Sequence, residues 1–225
     1  MRRVFAMAVL AWSVCGVTRA HDLGSTPITW NREISRLIYD RCASCHRPGG
    51  SAFSLMEYRD VQPRAVAIRD AVLSRRMPPW GAVKGFGTFR NDQALTQEQI
   101  ELFTLWIAND LPRGNNRRAL PKEPTFTAPS PAVVPPNAIR LTANTTLDRP
   151  LTLEGLLPEH ITLEQSVRII AILPGGRTRP LVWLHGYDER TPHLFLYREA
   201  VALPKGTVIQ GIQPGMVLAL IPASK

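Results

Sequence analysis

Three residues define the chemistry open to this chain: Cys42, Cys45 and His46, in the run Cys42-Ala43-Ser44-Cys45-His46. On a helical turn, positions i, i+3 and i+4 share one face, so two thiols and an imidazole emerge side by side. That is the pattern of covalent haem attachment, in which the thiols bond to the two vinyl groups and the imidazole meets the iron. Two other uses of paired cysteines compete. A redox-active dithiol has no need of His46 and belongs in a strand-helix-strand setting that this sequence lacks. A zinc site needs four ligands, and no second Cys or His pair follows. One covalent haem c on Cys42 and Cys45, with His46 as an axial iron ligand, is the expectation.

Iron in an electron carrier takes a second axial ligand, and a thioether raises the potential. Beyond residue 20 the methionines are Met56, Met77 and Met216. Met77 is favoured, because Pro78 and Pro79 hold the following backbone extended after a helix end. Met56, within Leu55-Met56-Glu57-Tyr58, reads as core; His160, His185 or an open iron site are the remaining alternatives. Trp30, Phe53, Trp80, Phe86, Phe89 and Trp106 are candidates to cover a porphyrin, although each alone reads as ordinary packing. The second ring nitrogen of His46 needs an orienting partner, for which a carbonyl near Pro48 or Gly49 is expected.

Helices must position this motif. Asn31 can cap one that carries Ile34, Leu37 and Ile38 on its apolar face and runs into Cys42. A second is expected from Pro63, burying Val66, Ile68, Val72 and Leu73 and ending at Met77-Pro78-Pro79. A third opens on the capping box Thr96 to Gln99, presents Ile100, Phe103, Leu105, Trp106 and Ile107, and stops by Pro112. From about residue 137 the pattern changes to short β-branched runs broken by Gly and Pro, with strands expected at 138–141, 150–153, 166–173, 179–185, 194–198, 207–212 and 216–221. The fold class expected is α + β in separate domains, a small all-α haem domain followed by a small β-sandwich. Seven prolines between Pro112 and Pro136 suggest a semi-stiff linker.

Arg2 and Arg3 precede an apolar stretch that ends in Thr18-Arg19-Ala20, the form of a cleavable export signal. The organisation expected is a signal peptide at 1–20, a haem domain at 21–111, a Pro-rich linker at 112–136 and a β-sandwich at 137–225. No later segment approaches the roughly 20 apolar residues of a bilayer crossing. Cleavage would remove Cys15 and three of the arginines, lowering the net charge from +9 to +6. A mild basic excess suits acidic protein partners, and the absence of a long basic run or aromatic-interleaved patch argues against nucleic acid.

Taken together, the first part resembles class I cytochrome c: an N-terminal helix, C-x-x-C-H, a methionine in a Pro-containing loop, and a C-terminal helix with Leu105-Trp106-Ile107. The whole chain is similar to bacterial exported proteins that join such a domain, with "RPGG" after the motif and "RRMPPW" at the methionine, to a β-domain. That β-domain is similar to the C-terminal region of copper type II, ascorbate-dependent monooxygenases, through residues 179–185, Tyr197-Arg198-Glu199 and 203–207. The resemblance implies an exported, periplasmic monohaem cytochrome with His46 and Met77 as axial ligands, passing electrons between redox partner proteins, its β-domain used for docking. A haem-and-copper oxidoreductase is the enzyme alternative, and a haem-based ligand sensor a third. The copper enzymes use paired histidines and a methionine, whereas this β-part holds His160, His185, His193 and Met216 with no His-x-His pair. For those histidines solvated or structurally hydrogen-bonded roles are expected. His21 would become the N-terminus on cleavage, and its amine and imidazole could then brace a copper ion.

Overall fold

Helices fall between residues 30 and 108 and strands between 139 and 222 in the computed structural model, which describes residues 27–90, 92–126, 133–161 and 166–223. The expected export signal, Cys15 and His21 lie outside the described residues. Helix α1, Ser35–Arg41, continues a π-helical turn at Trp30–Ile34. Its N-cap is Thr29, not Asn31. Asn31 is buried inside the turn instead, where its side-chain amide donates to the carbonyls of Gly114 and Asn116. The expected second helix is broken into α2, Tyr58–Val61, a 3-10 turn at Gln62–Arg64 that contains Pro63, and α3, Ala65–Leu73.

Helix α4, Gln97–Ala108, has the expected reciprocal cap: the Gln99 amide donates to the Thr96 hydroxyl at 3.2 Å, and the Thr96 amide to the Gln99 side chain at 2.9 Å. It buries Ile100, Phe103 and Trp106, while Leu105 faces solvent. Trp30, Tyr58 and Trp106 meet edge-on or tilted at 6.2–6.4 Å around that face. The Trp106 indole N–H donates to the Pro112 carbonyl at 3.0 Å, which satisfies its polar end. Residues 112–116, expected to open the linker, therefore pack on the helices.

The β-part consists of β1 Ile139–Leu141, β2 Thr145–Thr146, β3 Leu151–Glu159, β4 Ser166–Ile172, β5 Thr178–His185, β6 Phe195–Leu203, β7 Val208–Gln210 and β8 Val217–Pro222. They form two four-stranded antiparallel sheets, ordered β1-β8-β3-β6 and β2-β7-β4-β5. Alternation, reset by register shifts after Leu153 in β3 and around Leu181 in β5, sends Leu153, Leu156, Leu218 and Leu220 of one sheet, and Val167, Ile169, Leu181 and Leu184 of the other, into one shared core. The expected strands all appear, β3 and β6 longer than expected. The two-residue β2 is too short to show alternation in sequence.

β6 and β5 are the outer strands at the same end of the two orders, and residues 80–90 cover both. Val83 N donates to Trp183 O at 2.8 Å and His185 N to Gly81 O at 2.9 Å on β5. Arg90 N donates to Leu196 O at 2.8 Å and Arg198 N to Thr88 O at 2.9 Å on β6. The Arg90–Glu154 ion pair, 2.8 Å, extends the seam to β3. Trp80, Ala82 and Phe89 belong to the core shared by the sheets, and Phe86 meets the Trp183 ring edge-on at 6.0 Å. Trp80, Phe86 and Phe89, expected over a porphyrin, pack instead with the β-part, although the expected division of the chain places them before the linker.

Candidate functional site

The motif occupies the turn that directly follows α1, with Cys42 as the helix's C-cap. Cys42 N donates to Ile38 O at 2.9 Å, and Cys45 N and His46 N both donate to Cys42 O, at 3.1 and 2.9 Å. Cys42, Cys45 and His46 therefore occupy the i, i+3 and i+4 places of one helical turn, as the spacing requires. The chain then reverses on itself: Ala52 N donates to Cys45 O and Leu55 N to His46 O. Gly50 permits the reversal, since a Cβ there would stand 2.2 Å from Cys45 O.

The loop's return brings the carbonyl of Phe53 to 2.9 Å from His46 Nδ1. A carbonyl only accepts, so Nδ1 carries the proton and Nε2 keeps its lone pair. Nε2 has no hydrogen-bond partner among the described residues. This is the arrangement of a metal-ligating imidazole, its tautomer fixed from behind by a backbone oxygen. The partner is Phe53, seven residues on, rather than Pro48 or Gly49 as expected. The Phe53 ring also meets the His46 ring edge-on at 4.7 Å.

Both cysteines are free thiols. Cys45 is exposed, whereas Cys42 packs against the helical core, and burial pushes its thiol up to about 12, with Asp40 and then Cys45 adding and Arg41 opposing. A thiol so raised makes a poor half of an exchanging dithiol, which works through a low-pKa thiolate.

Helix α3 links the motif to Met77. The Arg64 guanidinium, just before α3, lies 5.0 Å over the Phe53 ring. Ala65, Ile68 and Val72 face the core, but Val66 and Leu73, expected to be buried, are 56 % and 53 % exposed. Being seven residues apart, they share the opposite face. Phe53, at 54 %, and Met77, at 42 %, are likewise exposed. Phe53, exposed beside the His46 ring, is apolar surface of the kind that a bound flat apolar group would cover. The donor set and this surface fit a haem.

Met77 lines a cleft of about 170 Å³ with Val72, Arg75, Trp80, Lys84 and His185; none of the motif's three residues lines it. The Met77–Pro78 peptide is cis. Met56 is buried, its carbonyl accepting from the Tyr39 hydroxyl at 3.1 Å, and Met216 lies in the core between the sheets. Of the methionines beyond residue 20, Met77 alone offers its sulfur-bearing side chain to the surface.

The other histidines lie apart. His160 is exposed in a left-handed turn after β3, and His185 is exposed at the end of β5. His193 is stacked on Trp80 at 4.8 Å and 19°. Its Nδ1 lies 2.9 Å from Thr191 O and its Nε2 2.9 Å from Trp80 O. Burial lowers its pKa, with the two carbonyls opposing. Among the described residues no three His, Cys, Asp or Glu side chains converge as metal ligands would. No described helix is long and apolar enough to cross a membrane. Sequence reasoning missed the Phe53 carbonyl as the partner of His46 and the His193–Trp80 contact; Gly49-Gly50 was the one local sign that the loop doubles back. Comparison with protein-family models, curated proteins and solved structures returns no match.

Proposed function

We propose that the chain is an exported, periplasmic monohaem c-type cytochrome that passes single electrons between partner proteins, with Cys42 and Cys45 as the covalent attachment points and His46 and Met77 as the axial ligands. The orientation of His46 carries this assignment: an imidazole with Nδ1 committed to a carbonyl and Nε2 free, on the same turn as two unpaired thiols, is prepared to bind a metal and little else. The haem, when bound, would supply reversible one-electron chemistry at iron. Phe53, Val66 and Leu73 would keep water from it, and the Met77 thioether would favour the reduced state. If His46 and Met77 both held the iron, no place would be left for a reacting ligand, which would suit a carrier better than a sensor or an enzyme.

When the protein is produced together with export-linked haem-ligation machinery, denatured wild type should keep its haem colour and Cys42→Ala/Cys45→Ala should lose it. Met77→Ala should lower the reduction potential and open the iron to cyanide and CO. Colourless wild type under competent maturation would refute the assignment. Stoichiometric copper together with ascorbate-dependent oxygen consumption that disappears in His185→Ala would replace the carrier by the copper-and-haem oxidoreductase.

A further inference from the structure

We propose that the β-sandwich is the clamp for the loop that presents Met77, with His193 as its positioning residue. The inference rests on Met77 being an iron ligand, and it assigns the β-part a role in the haem site itself rather than in docking alone.

Three observations carry it. First, Met77 is held from two sides by different parts of the molecule. Its own N–H donates to Ala71 O at the end of α3, at 3.2 Å, yet its side chain lies outside the helical core. Second, the chain has little freedom between Met77 and the sandwich, because Pro78 and Pro79 fix two of the intervening φ angles. Third, the next residues are fastened firmly. The Trp80 ring meets His193, stacked at 4.8 Å, and Phe195, edge-on at 4.8 Å, and those two rings also meet each other at 4.8 Å. The Trp80 carbonyl lies 2.9 Å from His193 Nε2, and the Gly81 carbonyl accepts from His185 N. Gly81, at φ +67°, lies so close to the sandwich that a Cβ would come within 2.6 Å of Tyr187 Cα. Shifting this anchor would shift Met77, since the two prolines between Met77 and Trp80 leave little freedom to absorb the movement.

His193 is suited to hold the anchor because it meets Trp80 twice, its ring stacked on the indole and its Nε2 at 2.9 Å from the Trp80 carbonyl, while Nδ1 lies 2.9 Å from Thr191 O. A positioning residue of this kind has no contact with the iron. Its loss should therefore show in the bond that Met77 makes and leave haem attachment and His46 untouched.

The test uses the full-length, haem-loaded protein. In oxidised His193→Ala, the sulfur-to-iron charge-transfer absorption should weaken and cyanide should bind about tenfold faster than to wild type, the effect of losing a hydrogen bond to a buried carbonyl. His193→Gln, whose amide can still donate to Trp80 O, should restore most of both. Leu220→Ala, which weakens the sandwich core on β8, a strand with no hydrogen bond to the loop, should leave the cyanide rate alone at temperatures well below its melting point. A wild-type cyanide rate in His193→Ala, with Met77→Ala fast, would overturn the clamp and leave the cytochrome reading intact. A slow Met77→Ala would remove Met77 as ligand and the clamp with it. If His193→Ala fails to fold, Val83→Pro, which withdraws one N–H from Trp183, takes its place, and an unchanged cyanide rate there would equally overturn the proposal.

Discussion

His46 and His193 each bring ring nitrogens to 2.9 Å from backbone carbonyls, with opposite consequences. His46 commits one nitrogen and keeps a lone pair available. His193 commits both, although a neutral imidazole has a single N–H and can serve only one of its two carbonyls. Protonation would serve both, but burial opposes the charge and holds the folded-state pKa below the ordinary histidine value. The unfolded chain therefore binds this proton more readily, and the stability involved is present above about pH 6.5 and lost as the pH falls below it. The thermal midpoint should fall between pH 7 and pH 5, with a contribution from His193 of at most about 1.4 kcal/mol per pH unit, and His193→Gln should flatten that part of the profile. The two thiols differ as well. Before haem attachment, alkylation followed by peptide mass analysis should find Cys45 modified first at neutral pH. Cys42, held up to about 12, should gain reactivity steadily as the pH is raised from 8 to 11. Equal rates at pH 8 would contradict the burial of Cys42.

At the scale of elements, what was legible was what depends on near neighbours. The α4 capping box spans four residues, Thr96 to Gln99, and the C-x-x-C-H turn five, so both could be read directly. The face of α3 was misread because Val66, Ile68, Val72 and Leu73 cannot all point one way. Ala65, Ile68 and Val72 follow the helical repeat and take the core, which turns Val66 and Leu73 outward. That outward face yields a prediction with two arms. Leu73→Gln keeps helix propensity and, in protein without haem, should change stability by no more than about 0.5 kcal/mol. In haem-loaded protein it should destabilise measurably more, as judged by denaturant midpoints. An equal effect in both forms would mean that Leu73 does not cover the cofactor.

For the whole molecule, the shift from helical to strand patterning located the two kinds of structure, and the pairing between them was hidden. Residues 80–90 contain no strand of their own, and Gly81, Gly85 and Gly87 interrupt any alternation. Their partners on β5 and β6 lie about a hundred positions away, where no local pattern reaches. Cleavage at a protease site engineered into the exposed stretch at residues 122–123 should consequently give two pieces that co-elute in gel filtration and separate only in denaturant. A fragment beginning at residue 133 would leave the outer edges of β5 and β6 bare, and should self-associate where the full chain does not. Clean separation of native halves would show that the seam adds little.

The seam also imposes an order in time. Synthesis proceeds from the N-terminus, so the cysteines and the Met77 loop exist long before β5 is complete at His185 and β6 at Leu203, and until then residues 80–90 lack the strands on which they sit. During that interval Cys45 and His46 are reachable while the methionine loop hangs free, and closure of the sandwich becomes the last act of assembly. Maturation of the cofactor site would then be timed by the length of the chain that follows it.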